Sequence, residues 1–458
     1  MARLRRFAVL TLCVFPLAAQ VATIEKRFVE IRKNPGELHA FLYRMPKGAD
    51  LHNHLSGAYY AENVLRLAAS QNICVDVKGL RLAGPAPCPD GQVSGSQTQT
   101  DNTLANSLID MLSMRNFVPS AGVSGHDHFF DTFGRFGAAD TTALIQEVIA
   151  RAADQNESYL ELMALSGGGA PAALGKSVGF DPDFNVMRGK LESAGLAKVV
   201  TNMRARVDQI EAARTAGCDA NPAPALCGVK VSYIYQVLRE SPPEQIFGQV
   251  MAGFAVAAAD PRVVGVNFVQ PEDGLYSMRD YSLHMRMVDY AKKLYPNVHI
   301  SLHAGELWRG LVPPDGLRFH IREAVEVGHA ERIGHGVDIM FEKDPYGLMA
   351  EMKAKHIAAE ICLTSNDGIL GVKGNDHPFP IYRKYGVPVE LSTDDEGVSR
   401  SDLTQEFERA VTTYQLSYAD VKQLARNSIE YSFATKDEKA KLMADLEKRF
   451  AAFEKTTH

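Results

Sequence analysis

A parallel (β/α)8 TIM barrel is the fold the sequence predicts, and three observations predict it. Eight short apolar runs rich in β-branched residues recur along the chain, each followed by a longer stretch of helical periodicity. Histidines and acids gather at the carboxyl ends of several runs, where barrel enzymes collect groups from distant parts of the sequence. The chain has 458 residues, 46% hydrophobic and 23% charged, which suffices for one large barrel with a packed core. Its formal charge of −6 offers no basic field for phosphates, so a nucleic-acid binder is disfavoured and a small molecule is the expected partner.

The chain opens with Arg3, Arg5 and Arg6, an apolar run over 7–17, then Ala18 and Ala19. A cationic end, a short apolar stretch and small residues predict a signal peptide over 1–22, cleaved after Ala19 or Ala22. Bulky Leu12 argues against lipidation at Cys13, and the run is shorter than the roughly 20 residues a spanning helix needs. The expectation is an exported protein, periplasmic or secreted, with no stable membrane anchor and one catalytic domain over 23–458. Homodimer formation is left open. Cys74, Cys88, Cys218 and Cys227 form two sequence-local pairs in Pro-rich surroundings, which predicts disulfides Cys74–Cys88 and Cys218–Cys227. Cys362 lies in an apolar run and reads as a buried small hydrophobe.

The predicted strands are 49–55, 159–165, 229–235, 263–269, 298–302, 332–334, 357–363 and 387–392. A long insertion follows the first strand; its polar tract over 91–102 predicts a mobile loop among extra helices. The Ala-, Glu- and Lys-rich segment 403–455 has the spacing of helices that close the barrel. Residues 167–177 nearly spell a phosphate-binding loop, but Ala170 replaces its first glycine and Pro171 removes a backbone donor, so a flexible loop is expected.

At the end of the first strand stands Asp50-Leu51-His52-Asn53-His54. Alternate residues of an extended chain point the same way, so His52 and His54 can face one metal ion. A second pair, His126 and His128, leads into Phe129 and Phe130 with no strand before it and is assigned to a loop without a ligand role. His303-Ala304-Gly305-Glu306, Gly334-His335-Gly336 and Ser392-Thr393-Asp394-Asp395 each end another strand. Three imidazoles and a carboxylate suit Zn2+, one ion per chain, which supplies hydroxide near neutral pH. Glu306 and Asp395 sit beside ligands, as acid/base groups should. Singly, each residue is an ordinary polar side chain; their joint placement predicts a metal site.

The runs 45–54, 301–306, 332–336, 362–366 and 392–395 together resemble the adenosine deaminase family, and the resemblance extends from about residue 34 onward. Segment 34–48 and His128-Phe129-Phe130 are most similar to its secreted, growth-factor-related branch. The resemblance implies that His52, His54, His303 and Asp394 bind Zn2+, that Glu306 protonates purine N1, that His335 orients or deprotonates the attacking water, and that Asp395 hydrogen-bonds N7. It implies deamination of adenosine, and of 2′-deoxyadenosine, to inosine and ammonia. Three positions depart from the family pattern. Ser56 stands where an acidic residue serves the ribose 5′-hydroxyl, Gln270 where a glycine faces purine N3, and Glu396 where proline is common. A 5′-modified adenine nucleoside or nucleotide, or another amidohydrolase substrate, is therefore the alternative, and a nucleoside-binding protein without turnover is the remaining one.

Overall fold

The computed structural model describes residues 24–137 and 141–456; the signal peptide expected over 1–22 lies outside them. The strands in chain order are β1 (Gly48–His54), β2 (Ile73–Asp76), β3 (Arg81–Pro85), β4 (Gln92–Ser94), β5 (Glu157–Leu165), β6 (Lys230–Leu238), β7 (Val263–Val269), β8 (His299–Ala304), β9 (Arg332–His335), β10 (Ala358–Ile361) and β11 (Val389–Leu391). Strands β1 and β5 to β11 pair in parallel in that order. A parallel bridge between Asn53 and Asp394 then joins the last strand to the first. Its hydrogen bonds run from His54 N to Asp394 O at 3.0 Å and from Asp394 N to His52 O at 2.8 Å. The predicted eight-stranded (β/α)8 barrel is thus present, each strand within a few residues of its expected place. Strands covered on both faces read as near-continuous apolar runs, which is why they stood out.

Helices wrap the barrel, and Leu403–Tyr414, Tyr418–Glu430 and Lys436–Thr456 close it, as expected. Ser428 on the second of these accepts a hydrogen bond from Ala49 N at 2.8 Å, fixing the entry to β1. Among the described residues no helix is long and apolar enough to cross a membrane.

The insertion between β1 and β5 departs from expectation. Its polar tract forms β4, the 3-10 helix Gly95–Gln99 and the start of helix Asn102–Met111, not a mobile loop. Asp101 caps that helix by accepting from Leu104 N at 3.0 Å, and β4 completes a small antiparallel sheet in the order β3-β2-β4. Local side-chain caps thus order a segment with little apolar content. His126 and His128 lie on helix Gly125–Phe133, not in a loop; Ser124 and Asp127 form a capping box at its start. The loop expected over 167–177 is a glycine turn, Gly167–Gly169, leading into helix Ala170–Val178, where Pro171 sits in the first turn and costs no hydrogen bond. Both predicted disulfides are present, with Cα–Cα separations of 5.5 Å for Cys74–Cys88 and 5.8 Å for Cys218–Cys227; Cys362 is free and buried.

Candidate metal centre and active-site cavity

The carboxyl ends of β1 and β8 and the turn after β11 bring four side chains to one point. His303 Nε2 lies 3.1 Å from both His52 Nε2 and His54 Nε2. Asp394 Oδ1 lies 3.5 Å from His52 Nε2 and 3.2 Å from His54 Nε2. Ligand atoms around a tetrahedral Zn2+ stand about 3.3 Å apart, given metal–ligand bonds near 2.0–2.1 Å. The spacing fits a cation of that size.

The outer ring nitrogens fix the tautomers. His52 Nδ1 faces Glu360 Oε2 at 2.5 Å, His303 Nδ1 faces Asn267 Oδ1 at 2.8 Å, and His54 Nδ1 faces Gln236 Oε1 at 3.1 Å. Each partner oxygen accepts, so each Nδ1 carries the hydrogen and each Nε2 turns a lone pair inward. Three lone pairs and a carboxylate crowded together repel one another unless a positive charge stands between them. The same demand appears in the titration of the cluster. Burial opposes a proton on His52, yet hydrogen bonds and charge from Asp394 and Glu360 outweigh it and push this imidazole well above its ordinary range. Burial takes His54 down to about 4, and burial with the neighbouring imidazoles holds His303 low, so both are neutral as ligands must be. Burial disfavours charge on Asp394 too, but the hydrogen bond from His52 and the imidazoles around it keep the carboxylate ionised.

Behind the cluster is a charge network. Glu360 accepts from Arg332 Nε at 2.5 Å and from Ser301 Oγ at 2.8 Å, and Arg332 Nη2 meets Glu161 Oε2 at 2.7 Å. Burial alone would raise Glu360, but Arg332 and His52 hold it near 2.

Glu306 is set by the turn that follows His303. Gly305 has φ +78°, and a Cβ there would strike Asp338 and Ile321, so only glycine fits. Glu272 accepts from Gly305 N at 3.0 Å and from Glu306 N at 2.7 Å, which locks the turn. The Glu306 carboxyl lies 3.7 Å from His335 Nε2. Burial first, then the charges of Asp394 and Glu272, push its pKa well above the ordinary carboxylate range, which favours its protonated form. Asp395, raised likewise by burial and by Asp394, rests against the Cα of Gly57, where any side chain would collide with it.

A cavity of about 550 Å3 opens onto these groups. Seven of the nine predicted site residues line it: His54, Ser56, Gln270, His303, Glu306, Asp394 and Asp395. The other two, His52 and His335, are fully buried beside it. Gln270 has φ +81°, so it keeps a backbone conformation natural to glycine, and its side-chain oxygen accepts from Glu240 N at 3.0 Å. Phe129, Phe130 and Phe133 from the insertion add an apolar wall that the sequence reading did not foresee. His126 meets Asp273 at 2.8 Å and His128 meets Ser113 O at 3.0 Å, so the second histidine pair stays out of the metal cluster, as expected. Sequence reasoning also missed Glu360, Asn267, Gln236 and Glu272; polar residues inside apolar strand runs or at their ends were the available signal.

Comparison with known proteins agrees with this geometry. A family model described as adenosine deaminase matches residues 177–449. An adenosine deaminase of Shewanella halifaxensis is 26% identical over 408 residues, which covers 87% of this chain and 98% of that protein. One from Clostridium perfringens is 38% identical over 144 residues, 31% of this chain, and that alignment spans only 40% of the relative. Arabidopsis ADAL, solved in complex with GMP, superposes with a TM-score of 0.58 at 22% identity over 89% of this chain and 98% of its own. With the family model covering well over half of its length, the chain belongs to the adenosine deaminase family.

Proposed function

We propose that this protein is a zinc-dependent hydrolase that deaminates adenosine and 2′-deoxyadenosine to the inosine products and ammonia. The observation that carries this reading is the Glu306 carboxyl, raised by burial, lining the same cavity as His54, His303 and Asp394, with His52 packed against them. Adenine C6 is a poor electrophile until N1 is protonated, and the upward shift of Glu306 suits a carboxyl that donates that proton. N7 is an acceptor, so it needs a donor; burial and the charge of Asp394 raise the Asp395 carboxyl, which favours the protonated form that can supply one. Bound zinc would contribute a water of lowered pKa. Protonation at the C6 amine lets ammonia leave, and Glu306 is placed to pass protons between water and ring.

A second reading is a 5′-modified adenine nucleoside or nucleotide. Uncharged Ser56 in the lining favours a group at the 5′ position, whereas the lining holds no lysine or arginine among the described residues, which argues against a phosphate. Uncharged nucleosides are the favoured substrates. Export, which the N-terminal sequence suggests, is supported by the two disulfides. Ultraviolet-monitored turnover of adenosine, 2′-deoxyadenosine, 5′-AMP and adenine, with and without a zinc chelator, tests the proposal. Chelator-sensitive loss of adenosine is expected; turnover of 5′-AMP alone would move the assignment to nucleotides, and silence on all four would reject it.

A further inference from the structure

We propose that Asn366 and His377 are positioning residues that fix His335 in the tautomer with its hydrogen on Nε2, making His335 a hydrogen-bond donor toward the reacting oxygen and not a base. The inference rests on the deaminase reading for its chemistry, but its structural content stands apart from it.

The polarity of the relay is set at its far end. Phe379 N is a backbone donor, and it points at His377 Nδ1 at 3.1 Å, so Nδ1 must be the unprotonated nitrogen. His377 then carries its hydrogen on Nε2, which lies 3.0 Å from Asn366 Oδ1. That contact orients the amide. Turning it over would set Nδ2–H against the N–H of His377, two donors face to face. Asn366 Nδ2 is therefore the atom 3.0 Å from His335 Nδ1, and that nitrogen must accept. The remaining hydrogen of His335 sits on Nε2, which is buried with no hydrogen-bond partner among the described residues and lies 3.7 Å from Glu306 Oε1.

Two consequences follow. A ring nitrogen of His335 lies within 4.8 Å of ligand atoms of His52, His303 and Asp394, so geometry alone would admit it as the fourth ligand in place of His54. A nitrogen bearing hydrogen has no lone pair to offer, and His54 completes the set. In addition, a neutral Nε2–H donor cannot take a proton from water through that atom. It stabilises negative charge on the attacking oxygen as an oxyanion-hole donor does. The relay is held rigidly: Asn366 lies on helix Leu363–Leu370, whose first two N–H groups are bound by buried Glu406, and His377 and Asn366 are both fully enclosed.

The test is 15N spectroscopy of histidine-labelled protein, chelated and zinc-loaded, with His335 signals assigned by their loss in His335→Gln. The wild type should show His335 protonated at Nε2 only. Asn366→Asp keeps the shape but makes both faces acceptors, so His335 should move its hydrogen to Nδ1 while zinc content and thermal midpoint hold. In that variant kcat should fall roughly 100-fold or more with KM little changed. His377→Leu should give mixed tautomers, and His377→Gln, whose amide N–H can still donate to Asn366, should restore the wild-type signal and kcat to within a few-fold. A wild-type His335 protonated at Nδ1, or an Asn366→Asp spectrum identical to wild type, overturns the proposal. The expected spectra from a protein that turns over no adenine nucleoside would sink the functional reading and leave the relay standing.

Discussion

At the inner end of the cavity every imidazole has a fixed partner, and the partners have partners: His52 is held by Glu360, Glu360 by Arg332, and Arg332 by Glu161. The wall contributed by the insertion is different. Phe129, Phe130 and Phe133 pack with Ile369 and Val398 in a separate small apolar cluster. Directional bonds among buried charges fix atoms to a few tenths of an ångström, which a metal and a proton donor require; dispersion contacts fill space and tolerate exchange. On the proposed reading the inner end carries the chemistry, and the wall offers an apolar face to what enters the cavity.

That contrast can be broken at either side. Glu306→Gln should lower turnover by about 10^3-fold, because an amide cannot lend its proton, while zinc content and melting temperature stay near wild type. Near-normal kcat in that variant would take the acid role from Glu306. Glu360→Gln strikes the support of a ligand: zinc affinity, read by competition with a chromogenic chelator, should fall about 10- to 100-fold. The same change leaves Arg332 with one buried carboxylate fewer and should cost about 3–5 kcal/mol in urea denaturation. Unchanged affinity would mean that the network only holds the fold. On the wall, Phe130→Ala should raise KM for adenosine about tenfold, roughly 1–2 kcal/mol of lost apolar contact, with kcat almost unaltered. A larger loss in kcat than in KM would erase the distinction between the two regions.

The smallest effect concerns Glu406, which caps the helix between them. Burial raises this carboxyl to about 7 from the ordinary 4.5. The folded state therefore holds the proton where the unfolded chain releases it, so the stability present below pH 4.5 is lost as pH rises through 7. Relative to Glu406→Gln, the wild type should lose about 1–3 kcal/mol between pH 5 and pH 7.5. Parallel stability curves for the two proteins would refute it.

The barrel was legible because strands buried on both faces are apolar throughout, and its ends were legible because ionisable residues there interrupt that pattern. His52, His54, His303, Glu306, His335, Asp394 and Asp395 all sat at such interruptions. Glu360 was hidden inside its run, since a carboxylate amid Ala359 and Ile361 gives no hint of which distant arginine pairs with it. The insertion was harder: β2 to β4 have three to five residues each, β3 carries Gly84 and Pro85, and no alternation lasts long enough to read. Helix Gly125–Phe133 did carry a signal, Ser124 and Asp127 at capping-box spacing, and Phe129 and Phe130, read as the start of a loop, belong to that same helix. His377 carried no signal at all, because its role depends on a backbone N–H two residues on.

The seam between Asn53 and Asp394 has one more implication. Asn53 Nδ2 donates to Thr393 Oγ1 across it at 3.0 Å, joining residues 340 positions apart. Three of the four residues proposed to hold zinc, His52, His54 and Asp394, come from the two sides of that seam, so the proposed site is complete only where the final strand lies beside the first. On the proposed reading, barrel closure and assembly of the metal site are then one event, because the same two backbone hydrogen bonds that join the strands bring the ligands of both sides together.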